Sequence, residues 1–311
     1  MSYLERALEL AERGRGTTHP NPVVGAVVVT PGGTVVGEGW HERAGTPHAE
    51  VVALRAAGGR AKGATLYVSL EPCARFGRTP PCVDAIAGAG IAKVVVAARD
   101  PTQEGVDRLR ELGVEVEVEE LWEARRKNEA WLTWSTLGRP YVTYKVAVTL
   151  DGRVTIPGSR WISGEESRAL VHELRAAADA VAVGMGTVRA DDPRLDARGV
   201  DAPRQPRRLA FGLGPLPAGS ELELRQGDPA IELQALGEEG VQSLLLEGGP
   251  TLATAFLERD LIDKLLLFVA PKLSGSGPHF LHDHARTLEL RHVSVRSVGP
   301  DLLVEAYVHE P

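Results

Sequence analysis

Cysteine is nearly absent from this 311-residue sequence: only Cys73 and Cys82 occur, which excludes a disulfide-stapled scaffold. In a reducing compartment such a pair is a ligand set or a catalyst sooner than a staple. Positive charge is not in excess. Thirty-five Lys and Arg against 42 Asp and Glu leave a formal charge of −7, which argues against a sequence-independent grip on long nucleic acid and for a small-molecule partner. No apolar run approaches the ~20 residues that cross a bilayer. The first residues, Met1 to Glu12, space Leu4, Ala7, Leu8 and Ala11 at helical intervals between charges, unlike the unbroken apolar core of a signal peptide. A cytoplasmic protein without a membrane span is expected. Low-complexity tracts, the Gly-rich Rossmann fingerprint and the P-loop are missing too. What is present is an ordinary globular mixture, 43% hydrophobic and 25% charged, long enough for about two domains.

The first half alternates short apolar runs with helical patterns. A helix over 2–13 precedes strands at Val23 to Val29 and Thr34 to Gly37, a hairpin turning at Pro31-Gly32-Gly33. Helices over His48 to Ala57, Cys82 to Ala87 and 104–112 then alternate with strands Thr65 to Leu70, Lys93 to Ala97 and Val114 to Val118. This predicts a mixed sheet covered on both faces. Residues 119–140 read as one amphipathic connecting helix ended by Gly138 and Pro140, and its Trp122, Trp131 and Trp134 are expected to pack domain against domain. The domains are therefore placed at 1–120 and 141–311, with 121–140 as connector. The second half offers strand Tyr141 to Val148, helix 165–177, strand Ala180 to Val183, strand Ser243 to Leu246 with a helix to Glu258, and tail strands near 262–269, 287–297 and 301–308.

His48-Ala49-Glu50 opens a helix, Pro72-Cys73 follows, and Cys82 starts another helix nine residues later. One imidazole and two thiolates make three zinc ligands and leave the fourth tetrahedral position open, the catalytic arrangement. Because positions i and i+2 of a regular helix point about 200° apart, His48 and Glu50 can share a site only if His48 stands at the helix entrance. Glu50 is the candidate proton shuttle of a zinc nucleobase deaminase, although eight residues separate the cysteines where that class commonly has Cys-x-x-Cys.

The segments Thr18-His19-Pro20-Asn21-Pro22-Val23, Gly37-Glu38-Gly39-Trp40-His41, Thr46-Pro47-His48-Ala49-Glu50, Glu71-Pro72-Cys73 and Gly77-Arg78-Thr79-Pro80-Pro81-Cys82 resemble the deaminase half of the bifunctional riboflavin-biosynthesis deaminase/reductases. Lys145 to Arg153, Ser159-Arg160-Trp161, Gly184-Met185-Gly186-Thr187, Asp191-Asp192-Pro193-Arg194-Leu195 and Glu247-Gly248-Gly249 are similar to the reductase half. The resemblance implies a cytidine-deaminase-like three-layer α/β/α domain followed by a dihydrofolate-reductase-like α/β domain. It implies deamination of 2,5-diamino-6-ribosylamino-4(3H)-pyrimidinone 5′-phosphate and then NADPH-dependent reduction of the ribosyl group to ribityl. A homodimer through the reductase domain goes with it.

By the same resemblance Asn21 and His41 line the deaminase pocket. Ala147, Trp161, Thr187 and Asp191 contact NADPH, whereas Lys145, Ser159, Arg175, Leu195, Arg198 and Glu247 meet the substrate. Arg175 and Arg198 suit the 5′-phosphate as planar donors. The turn at Gly248 and Gly249, with Thr251 and Leu252, leaves backbone amides free at a helix start, suited to a pyrophosphate. This sequence departs from the family at Ala74-Arg75, commonly Ser-His, and at Gly212-Leu213, commonly Asp-Ser. Arg207, Arg208 and Arg225 lie near enough in sequence to serve a 2′-phosphate instead. His282-Asp283-His284 reads as a metal site or, following Gly- and Pro-rich residues, as a solvated loop.

Overall fold

The computed structural model describes residues 1–76, 80–202, 204–284 and 287–311. Two compact units divide the chain, Met1–Thr136 with Pro311, and Leu137–Glu310.

In the first unit α1 (Tyr3–Glu12) starts at a capping box: Ser2 Oγ accepts from Glu5 N at 3.1 Å and Glu5 Oε2 accepts from Ser2 N at 2.6 Å. Strands β1 (Gly25–Val29) and β2 (Val35–Trp40), helix α2 (Ala49–Ala57), β3 (Thr65–Val68), α3 (Cys82–Gly88), β4 (Lys93–Val96), α4 (Gly105–Glu111) and β5 (Glu115–Val118) follow. The sheet order is β2-β1-β3-β4-β5, with antiparallel pairs β1/β2 and β1/β3 and parallel pairs β3/β4 and β4/β5. Helices α2, α3 and α4 close one face over Val28, Leu66, Val94 and Val96. On the other face α1 buries Leu4 and Leu8 with Leu70, Val95 and Ala97. These are the three layers expected.

Two glycines let α2 come close to its strand. A Cβ on Gly37 would sit 2.1 Å from the Ala53 carbonyl, and one on Gly39 2.5 Å from that of Ala49. This intimate crossing fixes where α2 begins. The connector is two helices rather than one, α5 (Trp122–Lys127) and α6 (Glu129–Leu137), broken at buried Asn128. Its amide pairs with the Val23 backbone, accepting from the nitrogen at 2.9 Å and donating to the oxygen at 3.0 Å. Of the three tryptophans, Trp131 packs inside this unit against the cluster of Leu4, Leu8 and Ala124.

The second unit contains β6 (Tyr141–Thr149), α7 (Glu165–Ala177), β7 (Ala180–Gly184), α8 (Met185–Asp191), β8 (Arg207–Phe211), β9 (Glu223–Arg225), α9 (Pro229–Glu238), β10 (Ser243–Leu246), α10 (Pro250–Glu258), β11 (Lys264–Ala270), β12 (Arg291–Val298) and β13 (Asp301–Tyr307). They form one sheet, β12-β13-β11-β6-β10-β7-β8-β9, parallel from β11 to β9 and antiparallel at β13 and β12. Val171 of α7 packs on one face with Leu266 and Phe268. Leu233 and Leu236 of α9 and Phe256 of α10 cover the other. Helix α9 and strand β9 are absent from the sequence reading, although Asp228-Pro229 is a start signal: Asp228 Oδ1 caps Ala230 N at 2.9 Å. The carboxyl ends of β6, β7 and β10 lie side by side, the edge where open α/β sheets bind ligands.

Candidate active sites

His48 stands just outside α2 in extended backbone, φ −70° and ψ 162°, while Glu50 sits in the first turn. This is the entrance geometry that the i, i+2 spacing requires. Cys73 leaves the carboxyl end of β3 on a loop pinned by buried Glu71, which accepts from Val106 N at 2.8 Å and Asp100 N at 3.2 Å. A side chain at Gly105 would strike the Pro72 carbonyl, so helix and ligand loop are held in contact. Cys82 is the first residue of α3. The His48 Nδ1 lies 3.2 Å from Cys82 Sγ and 3.5 Å from Cys73 Sγ, with all three donor atoms within 4.8 Å of one another. Nitrogen and sulfur on a tetrahedral zinc stand about 3.6 Å apart, so the donors fit that ion.

Glu50 completes the arrangement. It is 3% exposed, and its Oε2 is buried without a hydrogen-bond partner. Burial raises its pKa, against the opposing pull of His48. A buried carboxyl oxygen left open beside three metal-binding atoms is in place to meet a ligand. The Cys82 side chain, hydrogen bonded to Cys73, holds the Cys73 thiol down to about 4, against burial and with His48 assisting. Cys82 is pushed up by Cys73 and by burial.

Asn21 and His41 are brought to this site. Asn21 Nδ2 is 3.1 Å from His41 Nε2, and the His41 ring stacks edge-on against His48 with centroids 5.3 Å apart. The Pro47 carbonyl, 3.3 Å from His41 Nδ1, can only accept, so Nδ1 carries the proton and Nε2 accepts from Asn21. Burial lowers the His41 pKa, consistent with that neutral form. The Asn21 amide oxygen is thereby turned away from His41 and kept as an acceptor. At the departure Ala74-Arg75, the Ala74 amide donates to Gln103 Oε1 at 3.2 Å and Arg75 is exposed. Gly77, Arg78 and Thr79 lie outside the described residues.

In the second unit a cleft of about 890 Å³ opens at the carboxyl ends of β6, β7 and β10. Ala147, Trp161, Thr187 and Asp191 line it, as do Gly248, Gly249, Thr251 and Leu252. Lys145, Ser159, Arg175, Arg198 and Glu247 also face it. Helix α10 begins after Gly249, and its first internal bond runs from Ala253 N to Gly249 O, so the Thr251 and Leu252 amides make no bond within the helix. Arg160 and Arg168 place their guanidinium carbons 5.0 and 5.1 Å from the Trp161 ring. On the cleft floor Glu247 lies 3.4 Å from Lys145 Nζ; burial works to raise its pKa, but Lys145 and Arg175 bring it below the ordinary range.

Three expectations need correction. Leu195 does not line the cleft: it is 2% exposed and packs with Val181, Val183, Met185 and Val188, its backbone at φ 53°. Arg175 is not a free phosphate fork, because Nε and Nη2 bind Glu247 and Nη1 donates to Asp196 O at 3.2 Å. Arg207, Arg208 and Arg225 are turned to carboxylates instead of the cleft. They pair with Glu223, Glu221 and Glu239 at 2.5, 2.9 and 2.9 Å. Gly212 occupies φ 127°, and the Leu213 carbonyl accepts from Arg189 at 2.6 Å. His282 donates to or accepts from Thr251 Oγ1 at 3.1 Å on an exposed loop, and among the described residues only His48, Cys73 and Cys82 form a group of three or more such side chains close enough to hold a metal ion.

Arg168 and His172 are among the cleft residues that the sequence reading did not single out. Their signal is helical spacing: 168, 172 and 175 recur at i, i+4 and i+7 on one face of α7. Asp301, buried on β13, caps that helix from outside, accepting from Gly164 N at 2.7 Å and Ser167 Oγ at 2.6 Å.

Residues 1–98 match the family described as cytidine and deoxycytidylate deaminase zinc-binding region. Residues 140–212 and 219–304 match the RibD C-terminal domain. The riboflavin biosynthesis protein RibD of Aquifex aeolicus is 43% identical over 97% of both chains. That of Escherichia coli is 37% identical over 96% of this chain and 97% of its own. Among solved structures, RibD of Acinetobacter baumannii superposes with a TM-score of 0.85 at 35% identity, over 98% of this chain and 97% of the other. A diaminohydroxyphosphoribosylaminopyrimidine deaminase/5-amino-6-(5-phosphoribosylamino)uracil reductase of Thermotoga maritima gives 0.83 at 34% identity, with the same coverage.

Proposed function

The chain belongs to the RibD family and is a bifunctional deaminase and reductase of riboflavin biosynthesis; from that premise we propose how its residues divide the two reactions. The first unit deaminates the 2-amino group of 2,5-diamino-6-ribosylamino-4(3H)-pyrimidinone 5′-phosphate. His48, Cys73 and Cys82 hold one zinc ion, which when bound supplies the acidity that makes water a nucleophile at neutral pH. Glu50 is the proton carrier: its carboxylate takes a proton from the water and delivers it to the departing amine. Asn21, fixed by His41, offers its amide oxygen to an N–H of the pyrimidine. The observation that carries this reading is the buried, unpartnered Glu50 Oε2 beside the three donor atoms.

The second unit reduces the ribosyl carbon of the deaminated product to ribityl. NADPH supplies the hydride. Ala147, Trp161, Thr187 and Asp191 border the nucleotide, and the Gly248-Gly249 turn with the Thr251 and Leu252 amides receives its pyrophosphate. Lys145, held by Glu247, faces the reacting sugar; Ser159 and Arg198 take the phosphate end, with Arg175 positioning Glu247. The unit assignments are residues 1–120 for deamination and 141–311 for reduction.

Homodimerisation through the reductase unit belongs to the same proposal. Strand β12 is a sheet edge with seven of its eight residues exposed, Val293 and Val295 among them, and such an edge needs cover. A cytoplasmic location fits a site that needs two reduced thiols; among the described residues no helix is long and apolar enough to cross a membrane. Mass analysis of products from the pyrimidine substrate, with and without NADPH, tests the two reactions. Deaminated product in both arms and ribityl product only with NADPH are expected.

A further inference from the structure

Asn21, the residue that offers its amide oxygen to the pyrimidine, stands in a segment with few backbone ties of its own. Pro20 and Pro22 have no N–H, so Asn21 and Val23 supply the backbone donors of residues 20–23. Asn21 N donates to Thr18 O at 2.8 Å, and β1 joins its strand partners from Gly25 on. The Val23 N–H and C=O are taken by one side chain, that of buried Asn128, at 2.9 and 3.0 Å. With oxygen on the N–H and nitrogen on the C=O, its carboxamide copies a neighbouring strand and has a single orientation. Asn128 is itself fixed by two helices. Its N–H donates to Arg125 O of α5 at 3.0 Å and its C=O accepts from Leu132 N of α6 at 2.8 Å, while Ala124 and Trp131 pack on Leu4 and Leu8. One residue past Val23, the Val24 carbonyl accepts from His41 N at 2.9 Å. Asn21 and His41, bonded to one another through their side chains, are thus both tied to the stretch that Asn128 holds.

We propose that Asn128 is a positioning residue for deamination: by clamping the Val23 backbone it sets Asn21 where its amide oxygen meets the pyrimidine. This rests on the reading of the first unit as the deaminase and of Asn21 as its substrate contact. His48, Glu50, Cys73 and Cys82 come from other elements, α2, the loop after β3 and α3, so the metal donors and the proton carrier do not depend on the clamp. Without the Asn128 amide the buried Val23 N–H and C=O lose their partners, and the backbone moves to find others. A misplacement of about 1 Å caused by a change away from the reacting centre can cost about 100-fold in rate.

The test is a double-mutant cycle on deaminase kcat/KM in the full-length, zinc-loaded protein, with Asn21→Ala, Asn128→Ala and the two combined. Asn128→Ala should lose roughly 10- to 100-fold, most of it in KM, with zinc content and reductase rate on the deaminated substrate as in the wild type. In the Asn21→Ala background the same change should cost less than about twofold, because the contact it positions is already gone. Should Asn128→Ala not fold, Asn128→Asp, of the same shape but without the amide donor to Val23 O, goes through the same cycle with the same coupling expected. An Asn128 variant within about twofold of wild type, a loss that multiplies with that of Asn21→Ala, or a loss that follows zinc content overturns the assignment and leaves the deaminase reading intact. Asn21→Ala within about twofold of wild type overturns the substrate contact itself, and this assignment with it.

Discussion

Arg175 grips Glu247 through two parallel hydrogen bonds, Nε to Oε1 at 2.6 Å and Nη2 to Oε2 at 3.0 Å, on the floor of the second unit's cleft. With Lys145 on the same carboxylate, one negative and two positive charges share a nearly dry site. Arg175→Lys keeps the charge but loses the fork, so Glu247 and the Lys145 it holds should lose their fixed positions. Reductase kcat/KM should fall roughly 10- to 100-fold, the range for one charge-assisted bond, with deaminase activity unchanged. Parallel assays of the two half-reactions check this, and an equal fall in both would contradict it.

For the deaminase unit, Glu50→Gln should retain zinc and lose about 10²- to 10⁴-fold in turnover, the range for general acid–base catalysis. Metal content and rate are measured on the same sample. A variant within about twofold of wild type removes the proton-carrier role.

Much of this site was legible because its signals are local. Thr46-Pro47 ahead of His48 and Pro81 ahead of Cys82 mark helix starts, and the structure places both residues at those starts. The break at Asn128 was not legible, since its partner Val23 is 105 residues away. Nor was the fate of Arg207, Arg208 and Arg225. Parallel pairing of β8 with β9 sets Leu209 opposite Glu223 and Phe211 opposite Arg225, and this register, invisible in sequence, brings Glu223 to Arg207, while Glu239 at the end of α9 meets Arg225. Leu195 shows the converse, a residue whose motif position suggests a ligand contact but whose apolar side chain belongs to the core.

The occupied arginines lead to a prediction about cofactor choice. Arg208→Gln and Arg225→Gln should leave the NADPH-to-NADH ratio of kcat/KM within about twofold of wild type, because neither side chain lines the cleft. A fall of tenfold or more, equal to about 1.4 kcal/mol, would return those arginines to the 2′-phosphate.

A third group of charges ties the second unit together. Asp263 is 2% exposed and accepts from both Nη atoms of Arg139 at 2.8 Å and from Val142 N at 2.7 Å, with His309 Nδ1 3.2 Å away. The hydrogen bond to Asp263 raises the His309 pKa, so its stabilisation is fully present below the unfolded value and is lost as pH rises through the folded one. Burial works to raise the Asp263 pKa, but Arg139 leads the groups that bring it down, so its contribution is present above the ordinary carboxylate range and lost in acid. Melting temperature should decline by about 1 to 2 °C above neutral pH, as expected for ~0.5 kcal/mol after solvent screening of half-exposed His309. His309→Gln should abolish that decline. Asp263→Ala, which strands buried Arg139, should cost roughly 3 to 5 kcal/mol.

The division of labour between the two units is tested most directly with Cys73→Ala. The purified variant and wild type are given the diaminopyrimidinone substrate with NADPH, and separately the pre-deaminated substrate with NADPH, and every product is identified by mass alongside zinc content. The wild type should hold one zinc per chain and yield ribityl product from both substrates, whereas Cys73→Ala should lose zinc, leave the first substrate undeaminated and still reduce the second. A variant that deaminates without zinc would contradict the metal site, and one that loses both reactions while its second unit stays folded would contradict two independent sites on one chain.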